Sequence, residues 1–339
     1  MKELRVEEAV GEVLAHDITE IKPGIRKGPA FKKGHIIKEE DIPKLLDLGK
    51  QHIYIMENSE DKLHENQGAK RLADLARGPG ITGTEPSEGK INLLAERTGL
   101  LKVDKERLKF LNMEPGIIMA VRQNNTPVEK GDKLAGTRVI PLLIEEQKIV
   151  QAENKVGAEP LLQIKAYEEL RAAVITTGSE VYQGRIEDQF TEVIEEKIEA
   201  IDGEVIQKEI KPDDKEIIEN SIVEALQGES NLVICTGGMS VDPDDVTKDA
   251  IEDQADEVVT YGAPVLPGAM FMLAYAGDVP IIGLPACAMF SDITVFDLML
   301  VRLAAGEKIS AEEIAAAGHG GLCLGCDNCR YPDCSFGKV

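Results

Sequence analysis

The chain has 339 residues, 43% of them hydrophobic, which is enough for two or three domains each with its own core. Its 61 acidic against 38 basic residues leave a net charge of -23 with no basic cluster to offset it, which argues against nucleic acid and anionic membranes and for a small ligand held locally. The N-terminus lacks the apolar core of a signal peptide and no run of about 18 apolar residues could span a bilayer, so a cytoplasmic protein is expected.

In chain order, Val6, Val10, Val13 and Leu14 share one face of an expected helix over Val6–Ile18. Residues 23–36, dense in Gly, Pro and Lys, read as turns between short strands, and a helix over Glu39–Leu48 should stop at Gly49. His52–Met56 alternates as a strand; Asn58–Glu88 is poor in apolar residues and rich in Gly and Pro, and reads as a flexible connection or irregular insert. A helix around Ile91–Thr98 and strands at Ile117–Val121 and Val139–Ile144 complete a mixed α/β or β-rich region over residues 1–160. His16, His35, His52 and His64 show no helical metal pairing and read as surface or core residues.

After Tyr167 strands alternate with helices. Ala172–Thr176, Val205–Ile210, Leu232–Cys235, Val258–Thr260 and Pro280–Leu284 read as strands. Helices are expected from Phe190 to Ile201, Ile217 to Leu226, Val246 to Ile251 and Ala288 to Leu303. That alternation predicts a three-layer α/β/α domain with a mainly parallel sheet over residues 166–308 and a ligand at the carboxyl ends of the strands. No Gly-x-Gly-x-x-Gly opens a helix after the first strand, which disfavours a dinucleotide fold. Thr236, Gly237 and Gly238 break the third strand, and their small side chains let backbone N–H groups approach an anion. Asp242, Asp244 and Asp245 follow at once. A carboxylate ~4 Å from a phosphate costs on the order of 4 kcal/mol at an effective dielectric of about 20. A divalent cation with oxygen ligands should therefore lie between them if both are present.

Gly237-Gly-Met-Ser-Val-Asp-Pro-Asp-Asp-Val-Thr247 resembles the Gly-Gly-x-Gly/Ser-x-x-x-x-Asp-x-Thr signature of the molybdopterin-binding domain shared by molybdopterin adenylyltransferases and molybdenumtransferases. The likeness runs over residues 168–308. Ala173-Val-Ile-Thr-Thr-Gly-Ser-Glu180 is similar to the family's first strand and loop, Pro212-Asp213 to the turn after its second strand, and Gly283-Leu-Pro285 to the start of its Gly-Leu-Pro-Gly-Asn-Pro loop. Residues 7–18 and 33–49 resemble the non-catalytic region of the molybdenumtransferases. The departures are specific. The Ser-Ala-Met-Asp-Gly-Tyr stretch is absent, Ser179 replaces an Asp, and Ala286-Cys287-Ala288 replaces Gly-Asn-Pro. Val265-Leu-Pro-Gly-Ala-Met270 replaces a Lys-Pro-Gly-Lys-Pro loop whose lysines help hold molybdate in that family; neither Leu266 nor Ala269 attracts an oxyanion.

The resemblance implies molybdenum cofactor assembly. Thr177, Gly178, Ser179, Thr236, Gly237, Gly238, Ser240 and Pro285 would bind molybdopterin or its adenylylated form, with Asp245 and Asp213 in catalytic roles and Asp245 and Asp242 on Mg²⁺. The reaction expected is metal insertion, in which AMP leaves as molybdate enters. The alternative is a non-catalytic carrier of finished cofactor for a client molybdoenzyme, favoured by the lost lysines. Homo-oligomerisation is expected because family members commonly assemble. Asp213 is equally readable as a turn or N-cap residue, Asp188 reads as a cap of the next helix, and Cys287 as a buried thiol.

The tail, residues 319–339, is outside that likeness. Cys323, Cys326, Cys329 and Cys334 follow a C-x₂-C-x₂-C-x₄-C spacing, and four of the chain's six cysteines in so short a Gly-rich stretch predict a bound metal that orders it. A [4Fe–4S] cluster and a Cys₄ Zn²⁺ site both fit the spacing, with His319 a weaker substitute ligand.

Overall fold

The computed structural model describes residues 2–22, 26–56, 61–240 and 242–337. Val6, Leu14, Ile18, Phe31, Ile37, Leu45 and Ile53 are buried together as the first core. Around it Lys2–Arg5 pairs antiparallel with His52–Ile55, and Ile18–Lys22 with Arg26–Phe31. The helix expected over Val6–Ile18 is a single 3₁₀ turn, Val6–Glu8. Gly11 sits at φ +88, and beyond it Val13 and Leu14 bridge to Ile36 and Ile55, so cross-strand partners take the apolar positions that had suggested a helix face. Of the turns expected over 23–36, residues 23–25 lie outside the described residues and Arg26–Phe31 is strand.

A second core spans Ala69 to Ile164, between a four-stranded antiparallel sheet and three helices. The connection expected over Asn58–Glu88, of which 58–60 lie outside the described residues, contains the helix Glu65–Ala76. Its buried face is Gly68, Ala69, Leu72, Ala73 and Ala76, of which all but Leu72 are too small to register as apolar, yet size is what the site demands: a Cβ on Gly68 would stand 3.0 Å from the Val139 side chain. The His64 ring accepts from the Asn66 N–H at 3.1 Å and caps this helix. The helix expected at Ile91–Thr98 is instead the strand Lys90–Ala95, whose alternate residues Ile91, Leu93 and Ala95 are buried. The strand expected over Val139–Ile144 is two, Lys133–Val139 and Leu143–Glu145.

The third region is the expected three-layer domain. Its strands are β1 (Arg171–Thr177), β2 (Glu204–Lys211), β3 (Leu232–Thr236), β4 (Glu257–Tyr261), β5 (Met272–Ala276) and β6 (Val279–Leu284). Their order is β2-β1-β3-β6-β5-β4, with β2, β1, β3 and β6 parallel and the β5 and β4 pairings antiparallel. Helices α1 (Phe190–Glu199) and α4 (Val295–Ala304) cover one face, where Val174 and Ile234 meet Ile194, Phe296 and Met299. Helices α2 (Lys215–Gln227) and α3 (Thr247–Gln254) cover the other, where Ile175, Val233 and Cys235 meet Ile218, Ile222 and Ile251. Central strands buried on both faces have no polar side to show, which is why β1 and β3 read as unbroken apolar runs. The long helix expected from Ala288 is a 3₁₀ turn, Ala286–Met289, followed by α4, which starts only at the Thr294 cap.

The tail has no core of its own and borrows one. Phe336 is 2% exposed, and Tyr331, Cys323 and Cys334 pack beside it against the α4 side of the sheet. Leu266 N–H donates to the Gly321 carbonyl at 2.7 Å, Cys323 N–H to the Leu266 carbonyl at 2.8 Å, and Gly337 N–H to Gly320 at 3.0 Å. Docking on the domain, rather than a metal alone, thus orders this segment. Among the described residues no helix is long and apolar enough to cross a membrane.

Candidate functional site

In the strand order, β1 lies between β2 and β3, so the chain leaves β1 in one direction and later returns on its other side. Such a reversal opens a crevice at the carboxyl ends of the two central strands. The loops after β1 and β3 meet there. A Cβ on Gly237, at φ +88, would collide with the Thr177 carbonyl oxygen, and one on Gly238, at φ +53, would lie 2.7 Å from the Thr247 hydroxyl. Only glycine permits this approach. The Thr177 and Thr247 hydroxyls share a hydrogen bond of 2.9 Å, and Thr236 donates to the Leu284 carbonyl at 3.2 Å, so the loops after β1, β3 and β6 are stitched together beneath the crevice. Thr177, Gly178, Ser179, Thr236, Gly237, Gly238, Ser240 and Pro285 are thus brought to one end of the sheet.

The acidic residues have definite partners. Asp245 accepts through one carboxylate oxygen from the N–H groups of Ser240, at 3.1 Å, and Asp242, at 3.2 Å. Asp213 accepts from Ser179 N–H at 2.8 Å, and its own N–H reaches the Ser179 hydroxyl at 3.4 Å, tying the β2 loop to the β1 loop. The N-cap of α2 is Asp214, accepting from Ile217 N–H at 3.2 Å, so the capping alternative for Asp213 belongs to its neighbour. Asp188 accepts from Phe190 and Thr191 N–H at the start of α1. Several amides at the strand ends are already engaged and so are not offered to a phosphate: Gly178 N–H by the Lys211 carbonyl, Ser179 by Asp213 and Ser240 by Asp245. An anion at these strand ends would therefore be met chiefly by the backbone of Gly237 and Gly238 and by the Ser240 hydroxyl.

Two supporting residues escaped the sequence reading. Tyr261, at the end of β4, donates its hydroxyl towards the carbonyls of Met239, at 3.0 Å, and Ser240, at 3.3 Å, and so holds the glycine loop from the far side. Burial raises its pKa and keeps it a donor. Nothing local marks it, because β4 reaches the loop only by the antiparallel turn of the sheet. Thr247 closes the quoted signature, and its hydroxyl bond to Thr177 supplies its reason. Cys287 lies partly buried beyond Pro285, and burial pushes its thiol up; the fully buried Cys235 is pushed up to about 12, and neither is poised as a nucleophile.

Among the described residues, no group of three Asp, Glu, His or Cys side chains converges to hold a metal ion. Mg²⁺ does not require one, since it is commonly bound by one or two carboxylates, water and the phosphates of a ligand. Asp245, which is bonded to the backbone of the glycine loop, and Asp242 would be the carboxylates of such a site. The four tail cysteines are free thiols, Cys326 and Cys329 exposed and Cys323 and Cys334 half-buried, around one cavity apart from the glycine loops.

Residues 173–305 match the family model described as "Probable molybdopterin binding domain", with β1, β3 and the glycine loop inside the match. This segment is a molybdopterin-binding-family domain. Residues 3–57, the first unit, match a model described as a domain of unknown function. Among solved structures, the molybdopterin biosynthesis enzyme MoaB of Thermus thermophilus aligns at 20% identity over 41% of this chain and 98% of its own, TM-score 0.35. The tungsten cofactor synthesizing protein MoaB of Pyrococcus furiosus aligns at 20% identity over 40% and 92%, TM-score 0.33. CinA of Thermoplasma acidophilum, described as of unknown function, aligns at 17% identity over 41% and 96%, TM-score 0.33. No curated protein matches the chain.

Proposed function

We propose that the crevice between β1 and β3 binds adenylylated molybdopterin and that the protein inserts molybdate into it with release of AMP. The observation that carries this reading is the seating of Gly237 on the Thr177 carbonyl within a molybdopterin-binding-family domain, which leaves a side-chain-free loop facing Asp245. The loop backbone and the Ser240 hydroxyl bind and orient the phosphates, Thr177 holds the glycine loop from beneath through Thr247, Asp213 fixes the first loop through Ser179, and Pro285 closes the third side. Mg²⁺, held by Asp245 and Asp242 together with ligand oxygens, would neutralise the phosphoanhydride and ease departure of AMP. A homo-oligomer and a cytoplasmic setting accompany this reading, as does a metal, iron–sulfur or Zn²⁺, on the tail cysteines, whereas a client molybdoenzyme belongs to a carrier reading.

One observation favours a second reading. The 265–270 loop carries no lysine, and its Leu266 is paired with the tail rather than offered to an oxyanion. That suits a carrier that binds the finished cofactor and does no chemistry. AMP release from adenylylated molybdopterin on adding molybdate separates the two. A protein that binds the pterin tightly and never releases AMP is the carrier, and one that binds no pterin is neither.

A further inference from the structure

Cys323, Cys326, Cys329 and Cys334 all line a single cavity of about 370 Å³, bordered on the domain side by Pro267 and Phe290. The frame around it is fixed at both ends: Cys323 N–H bonds to Leu266, Gly337 N–H to Gly320, and Phe336 is anchored in the core between them. Arg122 of the second unit also pairs with Asp333, one residue before the last cysteine. The backbone therefore presents four thiols to one space. The space they share, about 370 Å³, is more than one four-coordinate ion fills. Zn²⁺ draws four sulfurs to about 2.3 Å from one centre. A cubane takes each thiolate on its own iron, at a separate corner, and so asks for thiols spread around an open volume.

We propose that the four tail cysteines ligate a [4Fe–4S] cluster in this cavity, against Pro267 and Phe290. On transfer from a donor of preassembled cluster, each thiol loses its proton and displaces one terminal ligand; iron and sulfide keep their oxidation states. The spacing, with three cysteines at x₂ intervals and a fourth past the Pro332 turn, suits a cubane as it does Zn²⁺, so the choice between them rests on the cavity. The wall of the cavity continues the loop that begins at Pro285, so the cluster fixes residues 290–293, while the assignment itself does not depend on pterin binding.

The test is anaerobic purification of the full chain, reconstitution with equal parts of ferrous and ferric iron and sulfide, and measurement of iron, acid-labile sulfide, zinc, the visible spectrum and the EPR signal after reduction. About four irons and four sulfides per chain are expected, with broad visible absorption. The double variant Cys326→Ser, Cys329→Ser, at two exposed positions that the fold does not need, should fall below about one iron, while Cys287→Ser retains the cluster. One Zn²⁺ per chain without iron, a chain left metal-free by reconstitution, or a double variant with undiminished iron would each overturn the assignment.

Discussion

Gly237 is the position where the domain can least accept a side chain, because the carbonyl of Thr177 occupies the place of its Cβ and its φ is +88. Gly237→Ala should cost more than about 2 kcal/mol, read as a fall in the unfolding midpoint, and abolish pterin binding by pushing the two loops apart. Asp245 separates structure from charge. Asn in its place retains an oxygen for the Ser240 and Asp242 amides, so Asp245→Asn should keep stability within about 0.5 kcal/mol but lose Mg²⁺-dependent binding; Asp245→Ala should lose both, at about 1–2 kcal/mol. Calorimetric titration of the pterin with and without Mg²⁺ reads these outcomes, and unchanged Mg²⁺ dependence in the Asn variant would remove Asp245 from the metal site. Tyr261→Phe deletes the donor to Met239 and Ser240 and should cost about 1 kcal/mol, with weaker pterin affinity as the glycine loop loosens.

Elements here are held by what they dock on more than by their own propensity. The tail is the clearest case, since its only fully buried large side chain, among the described residues, is Phe336. Phe336→Ala should cost about 3–5 kcal/mol if the tail and the α4 face unfold as one cooperative unit. If they do not, the global midpoint will hold and the tail alone will become protease-sensitive, with faster alkylation of Cys323 and Cys334. The helix Glu65–Ala76 shows the opposite economy of size, where alanines and Gly68 let it lie close to Val139 and Ile149.

At the scale of the molecule, the second unit and the molybdopterin-binding-family domain are joined through Glu307. Its carboxylate takes Lys102 at 2.6 Å, Lys165 at 3.1 Å and Arg302 at 2.9 Å, and Arg302 also pairs with Glu313. Burial would raise the Glu307 pKa, but the hydrogen bonds and charges of Lys102 and Arg302 outweigh it and bring it from 4.5 to about 2. Lys102 is itself lowered because burial exceeds what Glu307 returns, so the stabilisation resides on the carboxylate, which has several cations. A carboxyl depressed on folding stabilises above its unfolded value, here by about 3 kcal/mol, and loses this as pH falls from 4.5 through about 2. Glu307→Gln should be destabilised at neutral pH, the gap from the native chain closing across that window in unfolding curves against pH. A gap independent of pH would show that packing, not charge, joins the units.

What the residues by themselves determined is local or periodic. Apolar runs at Ala172–Thr176 and Leu232–Cys235 declare doubly buried strands, helices at 3.6-residue spacing lie between them, and glycines at the strand ends mark the site, because each signal is complete within a few residues. The cysteine spacing is legible for the same reason. Ile91–Ala95 misled because a short apolar run satisfies either period until cross-strand partners at 133–139 select one. Tertiary structure decided the rest. The bonds of Asp213 to Ser179, Tyr261 to Met239 and Lys102 to Glu307 join residues far apart in the chain, and so does the seat of Phe336. Which amides remain for a phosphate, and around what volume the four thiols stand, follow from those pairings, since hydrogen bonding and burial depend on what the fold brings near rather than on what the sequence places adjacent.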